Sequence, residues 1–178
     1  MDLSPLKPFL KTPFISDILE DPAWEVSNAP EPRYEGHDTF WYELLRGPRG
    51  VRAQCLLCRR PQQELAEAWR ETRHLLRLGN ALTSKQGVCH GGLLAVIVDE
   101  VAIMTIRHYG LDGGTDPSTA FLNVTYTRPV PAPGVIMATV NVVEIMRRKI
   151  KLRISILDGH GQLCVTAEML VVTAIPRL

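Results

Sequence analysis

The sequence predicts an α+β fold in which an antiparallel curved sheet wraps around a long central helix, and three observations predict it. Residues 93–106 are apolar on every side of a helical projection, interrupted only by Asp99, Glu100 and Thr105, the mark of a buried helix. Four strand-like runs follow at 118–127, 135–146, 149–157 and 162–173. The connections among these runs are short, which favours antiparallel neighbours.

Seven of the 13 prolines fall in the first 50 residues, and no apolar period is sustained there, so residues 1–38 read as a proline-rich N-terminal arm preceding a domain at 39–178. Apolar stretches at 40–46 and 51–59 flank Gly47, Pro48, Arg49 and Gly50, a loop of hairpin length, and predict a first hairpin. Leu65, Ala68, Trp69, Thr72, Leu75 and Leu76 recur at helical spacing, which predicts an amphipathic helix within about 61–79. The central helix opens at Gly91 and Gly92. Beyond a polar loop at 113–117, the third of the late runs alternates cleanly, Ile150, Leu152, Ile154 and Ile156 against Lys151, Arg153 and Ser155. Asp158, Gly159, His160 and Gly161 turn it into the last strand. Six strands are expected in all.

With 178 residues, 46% hydrophobic and 22% charged, the chain can bury a core, which excludes a disordered tail and a disulfide-stapled miniprotein. Residues 1–50 hold nine acids and five bases, the remainder ten acids and fifteen bases. That excess suits an anionic ligand but is too small for a nucleic-acid protein. Four cysteines and a start lacking an apolar signal core point to a reducing, cytoplasmic setting; two lysines and no arginine in the first sixteen residues fit a mitochondrial transit peptide poorly. Paired acids inside the apolar helix argue against a membrane span. Cys55 and Cys58 form a single pair without a second, which reads as structural rather than as a metal site, and no P-loop or dinucleotide fingerprint is present. Trp24, Trp41 and Trp69 read as packing residues.

Chemistry concentrates on the central helix. A buried carboxylate costs several kcal/mol unless it is paired, so Asp99 and Glu100 need a partner or a task. Just before the helix, Cys89, His90, Gly91 and Gly92 place glycines where first-turn amides carry partial positive charge, a corner suited to an oxyanion. Asp99 lies eight residues after Gly91, about 12 Å along the same helix. Both cannot touch one carbonyl, so a joint site requires the glycine corner of one chain beside the acid of another, and hence a dimer at least. Arg147, Arg148, Lys149, Lys151 and Arg153 crowd one strand turn, where they suit phosphate or simply guard a solvated hairpin.

His90-Gly91-Gly92-Leu93-Leu94-Ala95-Val96-Ile97-Val98-Asp99-Glu100, followed by TAFLNVTYTRP from Thr119 to Pro129, resembles the hotdog-fold acyl-CoA thioesterases of the 4-hydroxybenzoyl-CoA and phenylacetate-degradation type, over roughly residues 39–175. The resemblance implies a catalytic carboxylate at Asp99, an oxyanion contact from the Gly91 N–H, a supporting hydroxyl at Thr119 and, for His90, a role in orienting the helix corner and substrate. Relatives usually carry Asn or Gln six residues before that histidine; here the position is Ser84, with Asn80 and Gln86 nearby. Candidate substrate-binding residues are Gly92, Ser84, Asn80, Glu100, Arg128 and Arg148. The implied protein is a homodimer, or a dimer of dimers, that needs no cofactor or metal and takes an acyl-CoA or an acyl chain on a carrier protein. Asp99 would act as general base or as nucleophile.

Other classes of activity share the same fold. A thioester dehydratase pairs its acid with a histidine five residues on, where this chain has Met104. Non-hydrolytic tailoring of a thioester-bound chain, such as cyclisation or release, would reuse the same oxyanion corner, and a non-catalytic acyl-binding module would use only the cleft.

Overall fold

In the computed structural model the described residues are 6–27, 39–59 and 70–174. Helix α1 (Pro13–Glu20) leads into strand β1 (Trp24–Ser27); β2 (Val51–Arg59), β3 (Glu71–Leu78), the short β4 (Thr83–Lys85) and β5 (Val88–Cys89), helix α2 (Gly91–His108), β6 (Ser118–Tyr126), β7 (Gly134–Met146), β8 (Lys149–Asp158) and β9 (Leu163–Val172) follow. Seven strands form one antiparallel sheet in the order β1-β2-β3-β7-β8-β9-β6. β4 and β5 form a separate hairpin that delivers the chain to α2. No helix among the described residues is long and apolar enough to cross a membrane.

The inner face of the sheet wraps α2. Ile150, Leu152, Ile154 and Ile156, the apolar half of the alternating strand, close on Ile97, Val101, Ala102 and Met104 of the helix. Thr72, His74 and Thr105 form a fully buried polar cluster between β3 and α2: the two threonine hydroxyls lie 2.6 Å apart, and the His74 Nε2 is 3.1 Å from each. The Thr105 hydroxyl donates a hydrogen bond to the Val101 carbonyl at 2.7 Å.

The outer face is covered at β2, β3 and the start of β7, by residues 6–27. Leu6, Phe9, Ile15 and Trp24 pack on Cys55, Leu57, Leu75 and Met137 in a second core. Arg73 lays its guanidinium 3.9 Å from the centre of the Trp24 ring, within cation–π range. The arm's prolines end apolar runs but do not prevent short elements: Pro13 stands in the first turn of α1, where its missing N–H is no loss.

Two expectations are corrected. Residues 40–46 are not a strand; Phe40–Leu45 forms a π-helical turn whose Arg46 N–H reaches back to the Trp41 carbonyl at 3.0 Å, and β2 pairs with β1 instead. The run FWYELL has no alternation to hold a strand, and its turn drives Trp41 fully into the core. The amphipathic helix expected within 61–79 is a strand over Glu71–Leu78, while residues 60–69 lie outside the described residues. Its apparent helical stripe arose because the strand is buried on both sides: Leu76 and Leu78 face α2 and Leu75 faces the outer core. Nine strands among the described residues, seven in the main sheet and two in the β4–β5 hairpin, therefore replace the expected six.

Candidate active site

Helix α2 begins at an arrangement built by two side chains, His90 and Tyr126. The β4–β5 hairpin brings in His90, whose N–H donates to the Leu82 carbonyl at 2.9 Å. As N-cap, His90 accepts the Gly92 N–H on Nδ1 at 3.0 Å, so in its neutral form the ring carries its proton on Nε2. A Cβ on Gly92 would stand 3.1 Å from that ring, so the glycine makes room for the cap. From β6 the Tyr126 hydroxyl donates to the Gly91 carbonyl at 2.9 Å. The Gly91–Gly92 peptide is thus held at both its oxygen and its N–H. The preceding amide, the Gly91 N–H, occupies the first helical position, where no carbonyl of the helix can accept it.

Two turns further on, Asp99 accepts a hydrogen bond on Oδ1 from the Thr119 hydroxyl at 2.6 Å. Thr119 stands at the start of β6, on the edge of the sheet, and its exposed side chain fixes one carboxylate oxygen while the second remains available. Here the sequence expectation fails in one respect: Asp99 and Glu100 are half-buried, not buried, in the single chain. The helix is enclosed on all sides only from Val101 to Ile106; its first half leaves Leu93, Val96, Asp99 and Glu100 partly open beside the exposed β6.

Strand β6 connects both ends of this face, with Thr119 at Asp99 and Tyr126 at Gly91. Within one chain Gly91 and Asp99 are eight residues apart on the helix, about 12 Å, so neither reaches a carbonyl held by the other. Among the other predicted residues, Ser84 and Asn80 are exposed, Ser84 on the hairpin strand paired to the segment entering α2. Arg128 is exposed, and one nitrogen of its guanidinium donates to the Leu163 carbonyl at 3.0 Å, which anchors the group and leaves its charge unpaired by that bond. Arg148 lies at the Asp99 end, because Ile150 pairs with Val171 and Val171 with Thr119, which puts Ile150 about 10 Å from Thr119 across the sheet. Tyr126 is the residue that sequence reasoning left without a role. Its position within the T-A-x-L-N-V-x-Y run was the available signal, but nothing in the sequence ties it to Gly91, 35 residues away.

The described residues contain no cluster of His, Cys, Asp and Glu able to hold a metal. All four cysteines are free and buried, and burial pushes the Cys55, Cys58 and Cys89 thiols up to about 11.

Residues 86–165, which include Gly91, Asp99, Thr119 and Tyr126, match the thioesterase superfamily. No match to a curated protein was found. A solved thioesterase superfamily protein aligns with a TM-score of 0.55 and 26% identity over 67% of this chain; the chain spans about half of that protein, 53%. The PaaI protein from the phenylacetic acid degradation operon of E. coli aligns with a TM-score of 0.53 and 14% identity, covering 60% of this chain and 74% of its own. A hypothetical thioesterase protein of Streptococcus pneumoniae, solved with coenzyme A, aligns with a TM-score of 0.54 and 17% identity, covering 61% of this chain and 81% of its own. The fold is the hotdog fold of these proteins.

Proposed function

We propose that the protein hydrolyses acyl thioesters, with Asp99 as the reacting carboxylate and the Gly91 amide as the oxyanion donor. The observation that carries this reading is the 2.6 Å hydrogen bond from Thr119 to Asp99, which orients a partly exposed carboxylate on the segment that matches the thioesterase superfamily. As general base, the free carboxylate oxygen takes a proton from water while the water oxygen adds to the thioester carbonyl. Negative charge then moves onto the carbonyl oxygen, which the Gly91 N–H stabilises. Collapse expels the thiolate, which recovers the proton from Asp99. As nucleophile, the same oxygen would instead displace the thiolate and form a mixed anhydride that water cleaves. Both routes use the same two groups.

The 12 Å between those groups on one helix supports a site shared by two copies, the Gly91 corner of one chain beside Asp99 of another. A homodimer is therefore part of the proposal, and pairing of two further faces would give a tetramer. An acyl-CoA, or an acyl chain on a carrier protein, is the substrate class, with Arg128 and Arg148 proposed to meet its phosphates and Gly92, Ser84, Asn80 and Glu100 as further substrate contacts. Free, buried thiols suit a cytoplasmic setting.

Thiol release from short, long and aromatic acyl-CoAs, followed for wild type and Asp99→Asn side by side, tests the reading. Turnover lost in the variant supports it. No release by wild type across acyl-CoA and carrier-bound thioesters would overturn it.

A further inference from the structure

On the outer side of the sheet a cleft of about 460 Å³ opens between the N-terminal segment and the start of β7. Lys7 and Lys11, ahead of α1, Arg52 on β2 and Arg77 on β3 all line it. No acidic residue lines it, and none of the four cations has an ion-pair partner among the described residues. The grouping is a product of the fold. Val51 pairs with Leu78 and Ala53 with Arg77, so Arg52 is an extra residue in the ladder. An extra residue of this kind re-aims a side chain, and here it sets Arg52 beside Arg77 on the outer side. Like charges that face each other across strands repel. The Arg52 Nε donates to the Pro48 carbonyl at 2.7 Å, which steadies the guanidinium without neutralising it. Thr12, at the N-cap of α1, also lines the cleft, and its side chain makes no capping bond.

We propose that this cleft binds a phosphorylated small molecule, whose phosphate oxygens would lie among Lys7, Lys11, Arg52 and Arg77. Guanidinium forks match phosphate oxygens in pairs, and ammonium groups add mobile point charges around them. The volume falls in the range of small-molecule sites, large enough for a nucleotide rather than a bare ion. Position adds a constraint. Pro133, on the rim, is three residues from Val130, whose carbonyl accepts the Cys89 N–H at 2.8 Å, and Gly91 is two residues beyond Cys89. Cleft and helix corner are therefore joined by at most about 20 Å of chain. A nucleotide held here is either the tail of a thioester substrate that reaches the Gly91 corner or a separate effector. Binding at the cleft does not depend on the hydrolase reading.

Calorimetric titration of the full chain with coenzyme A and with adenosine 3′,5′-bisphosphate, at low and moderate ionic strength, tests the proposal. The variants are Lys11→Gln/Arg77→Gln and, because Lys11 borders α1, Arg52→Gln/Arg77→Gln, each checked for an unchanged melting temperature. Binding that weakens with salt, and by about tenfold or more in a variant that retains its melting temperature, is the expected result. Bisphosphate that competes with acyl-CoA hydrolysis identifies the substrate tail; bisphosphate that binds without competing identifies an effector. Absence of binding by wild type, or equal binding by the folded variants, would overturn the proposal, whatever the outcome of the hydrolysis assay.

Discussion

The Tyr126 hydroxyl donates to the Gly91 carbonyl, and the same peptide's N–H donates to the His90 ring, so one peptide plane at the start of α2 is fixed from both sides. This relationship makes the neighbouring Gly91 amide a rigid donor. Gly91→Pro deletes that N–H at the helical position where proline is tolerated, and His90 already has the extended ψ of 130° that a residue before proline needs. The expected loss in kcat is about a hundredfold to a thousandfold, with the fold retained. Gly91→Ala, whose methyl would sit in ordinary contact 3.8 Å from the Tyr126 ring, keeps the amide and should lose far less. Steady-state kinetics and circular dichroism on both variants check this.

Thr119 acts on the carboxylate, and its removal has a distinct signature. Thr119→Val should lower kcat about tenfold to a hundredfold by freeing Asp99 to rotate, with KM little changed. Thr119→Ser keeps the hydroxyl and should restore most of the activity. A purely structural threonine would not discriminate between the two replacements in kcat alone.

Residues 6–27 should behave as an integral layer of the protein. Phe9 is fully buried in the outer core with Leu75 and Met137. Phe9→Ala should therefore cost about 3–5 kcal/mol of stability, measured by denaturant unfolding. A change near zero would mean that the segment is not packed on the sheet in solution.

The buried polar cluster predicts a pH dependence. Burial, with a smaller contribution from His108, depresses His74 from 6.5 to about 3, and its Nδ1 has no partner among the described residues. The unfolded chain takes up a proton on this residue below about pH 6.5 and the folded chain does not, so this stability contribution is full above pH 6.5 and is lost as pH falls toward 3. The slope should approach about 1.4 kcal/mol per pH unit over that window. His74→Gln should flatten it, read by denaturant unfolding across pH.

Much of this was legible in the sequence, for physical reasons that also explain the gaps. Helix α2 and strands β7 to β9 lie close to their expected ranges because their apolar patterns reflect burial; β6 also lies close to its range, although it is largely exposed in the single chain. Leu75 and Leu76 misled because a strand buried on both sides loses its alternation and, with Thr72, mimics a helical stripe. Asp99 and Gly91 stood out because a carboxylate and a pair of glycines are conspicuous in an apolar helix, and the resemblance supplied their roles. Tyr126 and the Arg52–Arg77 pair did not stand out, since a hydrogen bond across 35 residues and an extra residue in a ladder are properties of the folded register.

The central claim is that Asp99 of one chain and Gly91 of another act on one thioester. Co-expression of Asp99→Asn and Gly91→Pro chains with different tags, purification of the mixed dimer and measurement of thiol release test it directly. Each parent homodimer should be inactive, while the mixed dimer, which contains one site with both groups intact, should recover about half of wild-type turnover. A mixed dimer no more active than its parents would contradict the shared site.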